Sequence, residues 1–167
     1  YNMQEQETQI YGIRALIEAL KAGKTIDKVF LQKGLQGGLY KELMPLLQAA
    51  QVPVQYVPVE KLNRLTKKNH QGVVANLSPV DYHNFEDLVI SVTESGAIPL
   101  FLVLDHLSDV RNFGAIIRTA ECTGVSGIII PKRGSVSITA DTVKTSAGAV
   151  FRVPICKVEN LVDAVYY

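Results

Sequence analysis

An apolar run that ends in a polar loop constrains the fold of this chain more than any other feature of its sequence. Residues 99–105 read PLFLVLD, and a stretch this apolar predicts a central parallel strand that is covered on both faces. Two more strands are predicted in this half, at 127–131 and 150–156. Four predicted helices alternate with the strands, at 85–95, 113–123, 139–148 and 160–167. This alternation predicts an open parallel α/β sheet.

The first half of the chain alternates between helices and strands as well. Its predicted helices cover 10–23, 38–51 and 59–68, and its predicted strands cover 26–32, 52–58 and 71–78. This order predicts a small three-layer α/β domain with a mostly parallel sheet. We therefore expect a first domain at 4–78, a linker at 79–84 and a second domain at 85–167.

Composition narrows the class of protein. With 47% hydrophobic and 20% charged residues, the chain has a globular composition. Its apolar runs are too short to cross a bilayer, and no charged and apolar leader precedes them, so we expect a cytoplasmic protein with no membrane partner. The three histidines and two cysteines are scattered and predict no metal site.

Charge is distributed unevenly along the chain. Residues 1–79 contain ten lysines and arginines against six acidic residues, a net charge of +4, whereas the whole chain carries only +1. This excess favours an acidic partner for the first half. Four cations fall near one face of the predicted helix 59–68, and we expect them to bind that partner: Lys61, Arg64, Lys67 and Lys68. A solvated helix face is the alternative.

A candidate site lies in the loop after the strand 99–105, because ligands in open parallel sheets bind beyond the carboxyl ends of the strands. Asn112 is placed to cap the following helix. Arg118 leans toward the helix N-terminus, over Gly114, which has no side chain to block it. The helix N-terminus and the guanidinium both favour an anion, so we expect the arginine to reach the loop beside Asn112.

Each of these residues also has a structural explanation. The alternatives are a plain helix cap for Asn112, close helix–sheet packing at Gly114, and an ion pair with Asp109 or Glu121 for Arg118. The stretch contains neither G-x-G-x-x-G nor G-x-x-x-x-G-K-[ST], which argues against a dinucleotide site and a phosphate-binding loop.

These residues carry a resemblance to a known family. Residues 104–125, LDHLSDVRNFGAIIRTAECTGV, resemble the first motif of the SpoU/TrmH family of RNA ribose methyltransferases, within the SPOUT superfamily of knotted enzymes. Residues 143–155, VKTSAGAVFRVPI, resemble the second motif. In the first half, IYGIRALIEALKAG, VFLQKG and HQGVVANL resemble the small substrate-binding domain of members that act on large-subunit ribosomal RNA, a domain similar to small RNA-binding ribosomal proteins.

The resemblance implies a reaction and roles for several residues. The reaction is transfer of a methyl group from S-adenosylmethionine to a ribose 2′-hydroxyl, of a guanosine in large-subunit rRNA, with tRNA as the alternative substrate. Arg118 takes the central catalytic role and Asn112 positions it or the ribose. Gly114, Ser146 and Gly148 support the motifs. The first domain binds RNA.

The sequence departs from the family in two places. The family's third motif, which follows an Ile-Pro strand and completes the knot, is absent from this chain. We therefore expect a methyltransferase domain that is incomplete at its C-terminus, no complete cofactor pocket and an inactive isolated chain. For the intact enzyme, the resemblance implies a homodimer. Val150 and Phe151 stand where many relatives carry an acid after the second motif.

Two other functions stay open at this point. A non-catalytic RNA-binding protein or truncated relative would share the first half and lack the third motif. A nucleotide- or phosphate-binding α/β enzyme with no role on RNA would share the sheet and the anion-favouring helix.

Overall fold

The computed structural model describes residues 8–167, which divide into two compact units, the first ending at Ser78 and the second beginning at Pro79. The elements of the first unit are three helices and four strands, in the order β1 (Gln9–Tyr11), α1 (Ile13–Lys21), β2 (Ile26–Gln32), α2 (Gly38–Ala49), β3 (Val54–Val57), α3 (Val59–Leu65) and β4 (Val73–Leu77).

The first unit is a three-layer sandwich around a mixed sheet of strand order β1-β4-β2-β3. Helices α1 and α2 cover one face, where Leu16 and Leu43 are fully buried. Helix α3 covers the other face, where Leu62 packs with Phe30 and Val74. The three layers confirm the prediction. The predicted mostly parallel sheet is wrong, because the observed sheet is mixed. Among the described strands, β2 and β3 are the one parallel pair of neighbours, because β4 is antiparallel to both β1 and β2.

The length of α3 explains why β4 is antiparallel. Seven residues of helix advance about 10 Å and do not return the chain along β3, whose four residues span about 13 Å. The chain therefore begins β4 at the edge where β2 ends, and the Gln32 N–H donates to the carbonyl of Gly72 at 2.8 Å. Helix α3 also ends at Leu65, three residues before the predicted end.

Strand β1 occupies residues that the sequence assigned to a helix. Gln9–Tyr11 pairs with β4, and Gly12, at φ 87°, separates this strand from α1. A non-glycine residue rarely adopts that backbone conformation, so the glycine allows the chain to turn from strand into helix within one residue.

The second unit contains a parallel sheet of strand order β5-β6-β7, which confirms the predicted sheet. Its elements are four helices, three strands and one 3-10 turn, in the order α4 (Phe85–Glu94), β5 (Phe101–Val103), α5 (Val110–Cys122), β6 (Gly127–Pro131), α6 (Ala140–Thr145), the turn Ala149–Phe151, β7 (Ile155–Val158) and α7 (Leu161–Tyr166). Asn84 caps α4 and Asn160 caps α7.

Two predictions about the strands of this unit are wrong. The run at 99–105, predicted as a central strand, contains β5, which lies at the edge of this unit's sheet in the described part of the chain. The central strand there is β6. Residues 150–156 are not one strand: the chain makes a 3-10 turn at Ala149–Phe151 and enters β7 only at Ile155. The turn follows from Gly148, which is left-handed at φ 78° and so ends the extended path that the apolar residues suggested.

Alternate residues of β6 serve the two faces of the sheet. Ile128 and Ile130 join the core under α5, which Phe113 and Ile117 also enter. The opposite face is met by α4, whose Leu88 lies over Gly127, and by α7. Within residues 8–167, no helix combines the length and the apolar character needed to cross a membrane.

The two cysteines lie in contrasting environments. Cys122 ends α5 and is exposed, whereas Cys156 in β7 is fully buried. Burial raises the pKa of the Cys156 thiol to about 11. Since the thiolate is the reactive form, we expect one fast-reacting thiol in the folded chain.

Titration of the native chain with an aromatic disulfide reagent at about pH 8 tests this expectation. Cys122 reacts at once, and Cys156 reacts only after denaturant is added. The variant Cys122→Ser should show no fast phase, and a fast phase in that variant would contradict the buried position of Cys156.

Candidate functional site

The loop after β5 lies at the carboxyl edge of the sheet, as predicted. The Leu104 N–H donates to the Ile129 carbonyl at 2.9 Å, and the Val136 N–H donates to the Leu107 carbonyl at 2.9 Å. The first bond ties the loop 104–109 to β6, and the second holds it beside the loop 132–139, which follows β6. Helix α5 begins at this edge, so its first turn faces the region where open parallel sheets bind ligands.

Asn112 lies inside α5 and does not cap it, which corrects the prediction. Asp109 is the cap: its Oδ1 accepts from the Asn112 N–H at 2.8 Å. The acidic side chain of Asp109 also complements the positive end of the helix. The Asn112 side chain is exposed and makes no hydrogen bond to another of the described residues.

Gly114 packs closely against Thr145 at the end of α6. A Cβ atom placed there would lie 2.8 Å from the carbonyl carbon of Thr145 and 2.6 Å from its Cβ. Gly114 is buried, so its missing side chain makes room for Thr145 and not for Arg118. Close packing is therefore the correct explanation for this glycine, although its neighbour is a helix and not the sheet.

The Gly114 contact joins the two segments that resemble the family motifs. Beyond Thr145, the Ser146 hydroxyl is fully buried, donates to the Val143 carbonyl at 3.3 Å and accepts from the Val150 N–H at 3.3 Å. Ala147 and Gly148 then follow with φ of 50° and 78°. These residues hold a tight turn against α5, which supports a structural role for Ser146 and Gly148.

Arg118 is exposed on the flank of α5 next to the packed side. Six residues separate it from Asn112, which places the two about 120° apart around the helix and about 9 Å apart along it. Helix geometry therefore does not bring Arg118 and Asn112 to one face. Seven residues separate it from Arg111, a difference of about 20°, so the exposed face of α5 carries two arginines. Sequence analysis missed Arg111.

Glu121 binds Arg152 and not Arg118. The Arg152 Nη2 donates to Glu121 Oε2 at 3.1 Å, and its Nε donates to Oε1. These hydrogen bonds lower the pKa of Glu121, and the positive charge of Arg118 lowers it further. Arg152 lies in the second motif-like segment, so this ion pair is a second tie between the two segments. The Arg118 guanidinium has no hydrogen bond or ion pair with any of the described residues.

The four predicted cations of the first unit do not share one helical face. Lys61 and Arg64 are on α3, whereas Lys67 and Lys68 follow its end at Leu65 and line a hollow beside His70. The Lys61 ammonium lies 5.6 Å from the centre of the Phe30 ring. The structure thus divides the predicted patch between a helix and a loop.

Two family models match the chain. Residues 9–83 match the model described as RNA 2′-O ribose methyltransferase substrate binding, and residues 99–167 match the SpoU rRNA methylase family. YacO of Bacillus subtilis, which is assigned to the TrmH family of tRNA/rRNA methyltransferases, is 36% identical over 95% of this chain. This chain belongs to the SpoU/TrmH family.

The SpoU/TrmH relatives are longer than this chain. A protein assigned to the same family in Staphylococcus saprophyticus is 37% identical over 96% of this chain, and the match covers 64% of the relative's length. The chain spans the same share, 64%, of YacO.

Solved structures of the same kind are also similar to the chain. An rRNA methyltransferase from Sinorhizobium meliloti, solved with AdoMet bound, aligns over 95% of this chain and 57% of its own, with a TM-score of 0.42 and 24% identity. The SpoU methyltransferase AviRb from Streptomyces viridochromogenes, in complex with AdoMet, has the same coverage, a TM-score of 0.42 and 19% identity.

Adding a methyl group at Gly114 tests the contact between the two segments. In Gly114→Ala the new Cβ meets the backbone of Thr145, which does not move as a flexible side chain would. We expect a loss of about 1–3 kcal/mol in the free energy of unfolding of the second unit. Hydrogen exchange of the β6 amides in native conditions measures it.

Gly38→Ala is the matched control for Gly114→Ala. Gly38 is the first residue of α2, and a Cβ there meets nothing within 4 Å, so this change should not destabilise the chain. Adding Thr145→Ala to Gly114→Ala should rescue the chain only in part, because the backbone contact stays. Unchanged exchange in Gly114→Ala would refute the close approach.

Proposed function

We propose that this chain acts in an RNA methyltransferase that transfers a methyl group from S-adenosylmethionine to a ribose 2′-hydroxyl. The observation that carries the proposal is the junction of the two motif-like segments around one unpaired arginine. Gly114 against Thr145 forms one side of this junction and Glu121 with Arg152 forms the other. Arg118 lies between them, exposed at the surface where a large substrate can reach it.

The role we propose for Arg118 is electrostatic. A guanidinium keeps its proton at neutral pH and is therefore a poor general base. It binds phosphate through a planar fork of N–H donors. Arg118 would therefore hold a phosphate next to the target ribose and stabilise the alkoxide that develops as the hydroxyl attacks. Asn112, on another face of α5, would contact the RNA separately.

S-adenosylmethionine would supply an electrophilic methyl group on its sulfonium. Within residues 8–167, no buried side-chain nitrogen or oxygen is left without a hydrogen-bond partner. The described residues thus present no buried orphaned donor or acceptor that this cofactor would satisfy. We assign none of them to the cofactor, and the roles of Arg118 and Asn112 concern the RNA alone.

The substrate we propose is a guanosine in large-subunit rRNA, bound by the first unit through its excess of positive charge. The family model for substrate binding over residues 9–83 supports RNA as the partner, and the relatives' names leave tRNA and rRNA equally open. From the family resemblance we also propose a cytoplasmic homodimer, which analytical ultracentrifugation of the complete gene product would test.

Methyl transfer by the complete gene product tests the proposed function. Labelled S-adenosylmethionine is offered with unmodified rRNA or with unmodified tRNA, and product sites are mapped by their resistance to alkaline cleavage. We expect label on a guanosine ribose of large-subunit rRNA. Transfer to tRNA alone would correct the substrate, and no transfer to either RNA would refute the function.

Arg118→Ala should lower the turnover of the same enzyme by about 10²–10³-fold, because it removes a donor that acts on developing charge. Binding of S-adenosylmethionine, measured by calorimetry, should stay nearly unchanged. Arg118→Lys keeps the charge without the planar fork, so its turnover should lie between that of the unchanged enzyme and that of Arg118→Ala. A loss of cofactor affinity as large as the loss of rate would contradict this division of roles.

A further inference from the structure

We propose that the hollow between α3 and β4 binds one unpaired nucleotide of RNA. This inference rests on the proposed function, since it takes RNA as the substrate. The hollow has a volume of about 460 Å³ and is lined by residues of polar type, namely Asn63, Thr66, Lys67, Lys68, Asn69 and His70. Small-molecule sites commonly occupy a few hundred cubic ångströms, so one nucleotide is an appropriate occupant.

His70 forms the fixed floor of the hollow. It is 8% exposed, and its Nδ1 accepts from the Gly72 N–H at 3.0 Å. The ring proton is therefore on Nε2, which donates to Asn63 Oδ1 at 2.8 Å. This bond uses the amide oxygen of Asn63 and leaves its NH₂ group without a partner among residues 8–167. An oriented donor then remains for a base or a sugar.

The wall of the hollow supplies positive charge. Lys67 is exposed and pairs with no described residue. The Lys68 ammonium lies 5.1 Å from the centre of the Tyr11 ring, and the Lys68 N–H donates to Thr66 Oγ1 at 3.1 Å. The backbone bond orders the loop, and the aromatic contact places the second cation. Two cations on one short loop fit a phosphate group.

The surroundings of the hollow favour a polymer over a free anion. On the same face of the sheet, Lys28 and Lys61 lie 5.1 and 5.6 Å from the Phe30 ring, and Arg64 is exposed on α3. Positive charge thus extends beyond the hollow, as contact with successive phosphates requires. Amide groups recognise base edges that are free of pairing, so we infer an unpaired nucleotide in a loop or bulge.

The variant Asn63→Asp separates binding from folding. The aspartate keeps an oxygen for His70, so the melting temperature should not fall. It removes the NH₂ donor and places a negative charge beside the phosphate, so binding should weaken. Gln48→Glu is the matched control, because this substitution changes the net charge by the same amount. Gln48 is exposed on α2, which covers the opposite face of the sheet.

Fluorescence anisotropy of the whole chain with two labelled RNAs measures this effect. One RNA is a hairpin with an unpaired loop, and the other is a fully paired duplex of the same length. Asn63→Asp should weaken hairpin binding about tenfold and leave duplex binding equal to that of Gln48→Glu. Equal hairpin binding by the two variants would overturn the nucleotide site while RNA binding stands. No binding of either RNA by the unchanged chain would overturn the proposed RNA partner itself.

Salt dependence and competition give a second measure. Lys67→Ala with Lys68→Ala should lower the slope of log affinity against log salt by about 1.4 for the hairpin. Lys24→Ala with Lys41→Ala, on the α1–α2 side, should leave the slope unchanged. If inorganic phosphate displaces the hairpin as effectively as a nucleoside monophosphate does at constant ionic strength, the hollow binds a free anion and the proposal is overturned.

A separate observation assigns Arg152 a positioning role, which also rests on the proposed function. Glu121 lies three residues after Arg118 on α5, a spacing at which opposite charges pair. Arg152 occupies both carboxylate oxygens of Glu121. We infer that Arg152 keeps Glu121 from binding Arg118 and so leaves the Arg118 guanidinium available to RNA.

A double variant of the complete gene product tests this inference. Arg152→Ala frees Glu121 to capture Arg118 and should reduce kcat about tenfold. Glu121→Gln alone should change kcat little, because the glutamine does not capture Arg118. Glu121→Gln with Arg152→Ala should restore most of the rate. If the double variant is as slow as Arg152→Ala, the ion pair has a purely structural role and the inference is wrong.

Discussion

The contact between Gly114 and Thr145 is the constraint on which the rest of the second unit depends. It brings the backbone of α5 against the end of α6, closer than any side chain at position 114 would permit. Protein interiors are packed at near-crystalline density, so such a contact fixes the relative position of the two helices. The positions of Arg118 on α5 and of the turn at 146–148 after α6 are fixed by the same contact.

Charge on the exposed side of α5 is organised by partners from elsewhere in the chain. Glu121 is three residues from Arg118, yet it binds Arg152, which follows the 3-10 turn. The pKa of Glu121 is lowered, so the carboxylate is charged throughout the neutral range and the ion pair persists there. A local helix pair is thereby replaced by a long-range one, and an arginine is left open to solvent.

The first unit uses a histidine in a similar way. His70 resembles a member of a basic patch in the sequence, since it follows Lys67 and Lys68. In the structure it is buried, and its two ring nitrogens are used by Gly72 and Asn63. Its role is to fix the positions of these neighbouring groups. The lysines beside it stay exposed because the helix ends at Leu65.

The sequence by itself determined the elements that depend on local pattern: most of the alternating strands and helices, and the parallel sheet of the second unit. It did not determine the direction of β4, the cap at Asp109, or the partner of Glu121. The direction of β4 depends on the length of α3 relative to the strands. The cap depends on whether Asp109 or Asn112 accepts from the first N–H groups of α5. The partner of Glu121 is Arg152, which is 31 positions away. Only the tertiary structure decided them, because packing distance and charge pairing act between residues that are remote in sequence and leave no periodic signal along it.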